Sequence, residues 1–247
     1  MVLRRSASFK FRCCRVWVVR GAVLEGERGD RGCLIMTHLV PPSRFIPAPK
    51  RLRVMRAGKA IVDTTNALLV WEHQYYPRYY IPADELSEPC HDTSGIGEIA
   101  GYVALDWESM DGWFEEDEEV TVHARNPYTR VDAMRSSRHI RVELDGEVVA
   151  ESTSPVVLFE TGLPSRYYLP ALDVRQDLLT PTDLSTACPY KGVARYWSIG
   201  EHENIVWSYP SPLPESQPVQ GLYCFYNEKV DLFIDGEAIE RPVTKFA

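Results

Sequence analysis

No stretch of this 247-residue chain approaches the ~20 consecutive apolar residues that cross a bilayer as a helix, so no membrane partner is expected. Cysteine is scarce. Of the six, Cys13, Cys14 and Cys33 fall in the first 35 residues, leaving Cys90, Cys188 and Cys224 for the rest. An odd, sparse set without a secretory signal reads as reduced thiols, not a disulfide framework, and this favours a cytoplasmic location. The six histidines are scattered and form no His-Glu-x-x-His pattern, so no metal site is expected. The sequence also lacks a phosphate loop, a Gly-x-Ser-x-Gly elbow and a dinucleotide fingerprint, and no cofactor is expected.

Positive charge is short in most of the chain. Residues 1–35 hold eight Arg/Lys against Glu25, Glu27 and Asp30, a net of +5, so with a total of −8 the remainder from Met36 carries −13. A body this acidic is a poor match to a phosphate backbone, and nucleic acid is not an expected partner. The Arg/Ser-rich leader fits three readings: a disordered tail, a start misplaced upstream of Met36, or an organellar transit peptide. In each case residues 1–44 stand outside the fold.

What the chain does have is a repeat. Residues 53–83 lie over 141–171 without a gap at an offset of 88, with ten of 31 positions identical, ending in a shared Arg-Tyr-Tyr-x-Pro-Ala block. A second match sets "GYVALDWESMDGWFEEDEE" over "GLYCFYNEKVDLFIDGE" at an offset of 120, so the first copy lacks 32 residues present in the second. Both copies read as β. Asp145-Gly146 and Asp235-Gly236 signal hairpins, and "PVVLFE", "GVARYWSI" and "LYCFYNEKVDLFIDGE" supply strands. "PALDVRQDLL" predicts one short helix with Leu172, Leu178 and Leu179 as its apolar contacts. The expected architecture is mainly β, two tandem small antiparallel domains with one or two short helices. The first is abridged (45–137), the second complete (138–247), and they pack as a pseudo-dimer. Each domain buries its own core or the two share one.

"RSSRHIRVELDGEVVAEST", "LFETGLPSRYYLPALDVRQDLL", "CPYKGVARYWS" and "WSYPSPLPE" resemble the family called domain of unknown function 427, in its tandem form. The resemblance spans about residues 50–240. It implies a small antiparallel β fold similar in shape to tent-like zinc-binding domains, although the Cys-x-x-Cys pairs of the zinc-bearing relatives are absent here. A nucleotidyltransferase-type label is attached to the family, but this chain has no Gly-Ser loop followed by a paired Asp-x-Asp. The resemblance carries over no catalytic residues.

The residues themselves nominate a site in the second copy. "CPYK" predicts a β-turn bringing Cys188 near Lys191, whose ammonium would favour a nucleophilic thiolate. The plainer reading makes Cys188 an apolar plug and points Lys191 to water. His202, the nearest base in sequence, reads as a hairpin tip. Strand alternation puts Tyr196 on one face and Trp197 on the other, and sets Trp207 with Tyr209. With Tyr167 or Tyr168 these rings would wall a cleft or form an aromatic core. Glu160 and Arg166, matched by Glu72 and Arg78, read as an ion pair bracing the strand corner, or as a general acid/base beside a carboxylate-binding arginine. The run "EEDEE" at 115–119 reads as a solvated turn. The expected function is binding, with or without cofactor-independent chemistry, of a small aromatic or carboxylate-bearing metabolite. A non-catalytic interaction module is the alternative.

Overall fold

Alternation of side chains builds the framework. In Ile140–Leu144 the odd positions of the strand are buried and the even ones half-buried, so one face meets a core while the other meets solvent. Asp145 and Gly146 follow with φ of 52° and 82°, the left-handed pair that a two-residue hairpin matching strand twist requires. Ala57 and Gly58 repeat the turn in the first copy with φ of 48° and 72°. The computed structural model describes residues 45–72, 75–88, 99–244 and 246. The leader and Cys90 lie outside them.

Among the described residues the chain is mainly β and its short helical turns are all 3-10. The first copy contributes β1 (Phe45–Pro47), β2 (Leu52–Arg56), β3 (Lys59–Thr64), β4 (Leu68–Val70), β5 (Arg78–Pro82), β6 (Tyr102–Val103), β7 (Gly112–Glu115) and β8 (Glu118–Val120). The second contributes β9 (Val131–Arg135), β10 (Ile140–Leu144), β11 (Glu147–Ser152), β12 (Val156–Glu160), β13 (Arg166–Leu169), β14 (Leu179–Cys188), β15 (Gly192–Ile199), β16 (His202–Ser208), β17 (Tyr223–Phe225), β18 (Asp231–Ile234) and β19 (Glu237–Ile239). The sheet orders show the duplication. β3-β2-β7-β8 matches β11-β10-β18-β19, and β1-β4-β5-β6 matches the β9-β12-β13-β17 part of a seven-stranded sheet that continues through β16, β15 and β14. The extra 32 residues are therefore three antiparallel strands added to one sheet edge. β9 precedes residue 138 yet pairs with β12, so the second sheet begins inside the connecting segment.

Each copy buries its own apolar cluster. Leu52, Val54, Ile61, Trp71, Tyr79, Ile81 and Trp113 form one, and Ile140, Val142, Leu169, Ile205, Val206 and Ile234 are among those forming the other. On the far side of the second sheet the added strands bury Tyr168, Tyr196, Trp207, Tyr209 and Cys224. The matching first-copy cluster holds only Val70, Tyr80 and Ala104 among its buried residues.

Three expectations need correction. Residues 170–179 form no α-helix but two 3-10 turns, Ala171–Asp173 and Gln176–Leu178. Between them Val174 is extended and bridges Ala150, while the Arg175 amide donates to Val149 O, tying the chain to β11. Leu172 consequently stands 99% exposed, while Leu178 and Leu179 pack on the core. The repeat offset also slips. It is 120 at Val103/Tyr223, which pair with the equivalent Ile81 and Leu169. It is 119 at Trp113/Leu232, which pair with Val54 and Val142. The extra residue lies at Asp111, between buried Met110 and Gly112.

That slip moves Glu115 off the hairpin tip, which is the third correction. Glu116–Glu119 are exposed, as a solvated turn should be, but Glu115 is 7% exposed. It accepts hydrogen bonds from Tyr79 Oη at 2.6 Å and Lys50 Nζ at 2.5 Å.

Candidate functional site

The added strands and the repeat framework together wall a cleft of about 390 Å3. It gathers Glu160, Arg166, Tyr168, Cys188, Lys191, Tyr196, Trp207 and Tyr209 from the nominated residues. Alternation decides which tyrosine enters: Tyr168 lines the cleft, whereas Tyr167 packs with the core on the opposite face. Trp197 likewise leaves the set and meets Tyr223 edge-to-face, ring centroids 5.0 Å apart.

The turn that opens this stretch forms as its residues predict. The Lys191 amide donates to Cys188 O at 3.3 Å, and Gly192 follows with φ of 94°. A Cβ on Gly192 would sit 3.1 Å from the Ser211 carbonyl oxygen, so both backbone conformation and close packing call for glycine. Lys191, however, neither faces water nor is left to the thiol. Its side chain is 11% exposed and its ammonium is ion-paired with Glu160.

This pairing overturns the expected Glu160–Arg166 bridge. Arg166 instead holds Glu228 through two parallel bonds of 2.6 and 2.7 Å. Burial works against the Glu228 charge, yet its bonds from Arg166 and Thr244 outweigh this and hold its carboxyl below the usual range. The Arg166 guanidinium also lies 5.6 Å from the Trp207 ring centroid and 5.8 Å from that of Tyr226. In the first copy the expected bridge does form, Arg78 to Glu72 at 3.2 Å, and Tyr80 Oη donates to the same carboxylate at 2.5 Å.

The aromatic wall is tightly held. Trp207 Nε1 donates to Tyr168 Oη at 3.0 Å, and Tyr196 Oη shares a 2.8 Å bond with Thr186 Oγ1. Tyr209 differs: it is 5% exposed, lines the cleft, and its hydroxyl has no hydrogen-bond partner among the described residues. Burial pushes the Tyr168 and Tyr209 phenols well above their ordinary range, so both stay neutral. Cys224 is fully buried, which pushes its thiol up to about 12 and leaves it unreactive.

The spacing arguments missed three contributors. His123 and Val122 come from the connecting segment and line the same cleft. Val122 has φ of 73°, an unusual strain for a β-branched residue. His123 stacks on Tyr76 at 3.9 Å, and its Nδ1 lies 2.8 Å from Ala124 O, which puts the proton on Nδ1. His202, the base considered from sequence, instead pairs with Asp145 at 2.7 Å. Tyr190 lies in the quoted turn, and its hydroxyl accepts from the Asn126 amide at 2.6 Å, joining the turn to the connecting segment. No local motif signals Tyr190 or His123, because their roles depend on distant contacts: Tyr190 bonds Asn126, 64 positions away, and His123 stacks on Tyr76.

Two β repeats, one enlarged by three strands and holding an aromatic, charge-paired cleft, define a duplicated antiparallel β protein with a concave site in one copy. The family model described as Domain of unknown function (DUF427) matches residues 44–95 and 132–236, and the chain belongs to that family. No curated protein matches the chain.

Proposed function

We propose that the chain is a small-molecule-binding protein whose site is the second-repeat cleft, and that its ligand is a flat ring carrying a hydrogen-bonding edge group. The observation behind this reading is Tyr209, a 95%-buried phenol without a hydrogen-bond partner among the described residues, lining a cavity large enough for a metabolite. The Tyr209 hydroxyl is not itself a buried unpaired atom: it opens onto the cleft, where a bound molecule or water can complete it. The rings of Tyr168, Tyr196 and Trp207 supply an apolar wall. A carboxylate-bearing ligand is favoured less, because Lys191 and Arg166 already hold Glu160 and Glu228 and an incoming carboxylate must displace one of them. The same engagement of Lys191 argues against Cys188 as a lysine-activated nucleophile. Val122 and His123, which line the same cleft, would cover its mouth.

A non-catalytic interaction module is the second reading. Tyr168, Tyr196, Trp207 and Tyr209 are each 7% exposed or less, as rings serving only as core would be. A thermal-shift screen of planar metabolites against wild type, Lys191→Ala and Tyr209→Phe separates the two. Ligand binding predicts compounds that raise the wild-type midpoint by several degrees and lose most of that shift in Tyr209→Phe. Compounds that shift wild type and Tyr209→Phe equally, or no shifts at all, would overturn the assignment.

A further inference from the structure

The first repeat has a cavity of its own, about 410 Å3, whose Glu72–Arg78 corner corresponds to the Glu160–Arg166 corner of the second-repeat cleft. The cavity reaches toward the other face, however, and is lined by Tyr79 and Trp113 where the second repeat has Tyr167 and Leu232 in its core. It is not a faded copy. Glu72, Arg78 and Glu108 occupy the places of Glu160, Arg166 and Glu228, but the aromatic equipment is different. Trp107 stands where the second repeat has Asn227, and Trp113 where it has Leu232. Trp107 and Trp113 stack at 4.6 Å with planes 2° apart, and Tyr79 extends the stack at 5.8 Å from Trp113. Half-buried Trp107 and Tyr76 both line the cavity.

The charge balance is different too. The second-repeat cleft is lined by two cations, Lys191 and Arg166, and by Glu160. The first-repeat cavity is lined by Glu72, Asp106 and Glu108, with Arg78 the only Lys or Arg among the described residues that line it, and Arg78 is bridged to Glu72. Asp106 accepts from the Ser109 amide at 3.1 Å. Glu108 is exposed and has no ion-pair partner among the described residues. Electron-rich ring faces beside uncompensated carboxylates attract an organic cation and repel an anion of the same shape.

We infer that the first repeat holds a second ligand site, selective for an organic ammonium ion with a flat apolar body. The ammonium sits against Glu108 and Asp106, and the body lies along Trp107 and Tyr76. This does not depend on what fills the second-repeat cleft, since the two cavities share only Val122 and His123.

The test is isothermal titration of the full chain with phenethylammonium and with 3-phenylpropanoate, which carry opposite charges on closely similar skeletons. Phenethylammonium should bind in the millimolar range or tighter and 3-phenylpropanoate should not. Glu108→Gln should weaken the ammonium about fivefold, Glu108→Lys at least about tenfold, and Trp107→Leu by a similar factor. Lys191→Ala, in the other cleft, should leave Kd unchanged. Glu108 is exposed and unpaired, so its variants should keep the wild-type urea midpoint. The proposal is overturned by any of four results: no ammonium binding at millimolar concentration, equal binding of the carboxylate, wild-type affinity in Glu108→Lys, or loss of binding in Lys191→Ala in its place.

Discussion

In the first repeat Glu72 takes Arg78, its neighbour six residues on, and a tyrosine closes over the same carboxylate. In the second the corresponding acid and base part company: Arg166 goes to Glu228, and Glu160 goes to Lys191. The difference traces to the three added strands. Lys191 sits in the turn between β14 and β15, so the insertion brings a new cation to Glu160. Glu228 then serves Arg166, whereas its counterpart Glu108 makes no such pair among the described residues. One local ion pair has become two long-range ones framing a cavity between them. The comparison shows how a sheet extension can rewire a brace that already borders a cavity, changing the charge and walls beside it, without replacing the residues of the brace.

The sharpest way to break this comparison is to remove each arginine. Arg166 and Glu228 have side chains 8% and 0% exposed and share two bonds, so Arg166→Met strands a buried carboxylate and should cost about 3 kcal/mol or more. Arg78 is 25% exposed at the side chain and makes a longer bond to Glu72, which is 9% exposed but keeps its bond from Tyr80. Arg78→Met should therefore cost less, about 1–2 kcal/mol. Urea unfolding of both variants measures the gap. Equal losses would show that the rewired pair is no more deeply built than the local one.

Much of this framework is legible in the residues, and the failures have physical causes. The alternation of Ile140–Leu144 and the left-handed Asp145-Gly146 turn are local properties, and they fold as their sequence predicts. Alternation alone separates Tyr196 from Trp197 and groups Trp207 with Tyr209, but it takes the register Tyr196↔Trp207 to join Tyr196 to that wall. β14 was not legible: its threonines, Pro181 and Asp183 look like loop, and it survives because an edge strand tolerates proline and breaks register between Pro181 and Ser185. The exchange of ion-pair partners was not legible either. It depends on a residue 31 positions away for Glu160 and 62 away for Arg166, while the repeat pointed to a pair six apart. Glu115 went astray through a one-residue slip, and one residue suffices to carry a side chain from solvent to core.

A smaller effect sets the inserted strands against the shared hairpins. Gly58 and Gly146 have φ of 72° and 82° and open space where a Cβ would stand, so Gly58→Ala and Gly146→Ala should each cost about 1 kcal/mol from backbone strain alone. Gly192 has φ of 94° and a backbone carbonyl oxygen 3.1 Å from that point. Gly192→Ala adds a steric term and should cost about 2 kcal/mol. It should also weaken any ligand of the second-repeat cleft, because the turn carrying Lys191 must move. Thermal midpoints rank the three variants. A Gly192→Ala protein as stable as Gly146→Ala would mean the turn yields freely, and the cleft wall with it.

The smallest effect is a dependence on pH. The Glu228 carboxyl is held below its ordinary value of 4.5, although burial opposes this, by hydrogen bonds from Arg166 and Thr244. As acid is added the unfolded chain therefore takes up this proton before the folded one does. The stabilisation is complete above the ordinary glutamate range, is lost as pH falls through it, and is gone below the folded-state value. Wild type should lose stability more steeply between about pH 5 and 3 than Glu228→Gln, which has no proton to gain there. Thr244→Ala removes one of the bonds, Thr244 Oγ1 to Glu228 Oε1 at 2.6 Å, and should fall between the two. Urea midpoints taken across that range decide it. Parallel slopes for wild type and Glu228→Gln would mean that the pair adds no charge-dependent stability, and that Arg166 is held by its aromatic neighbours instead.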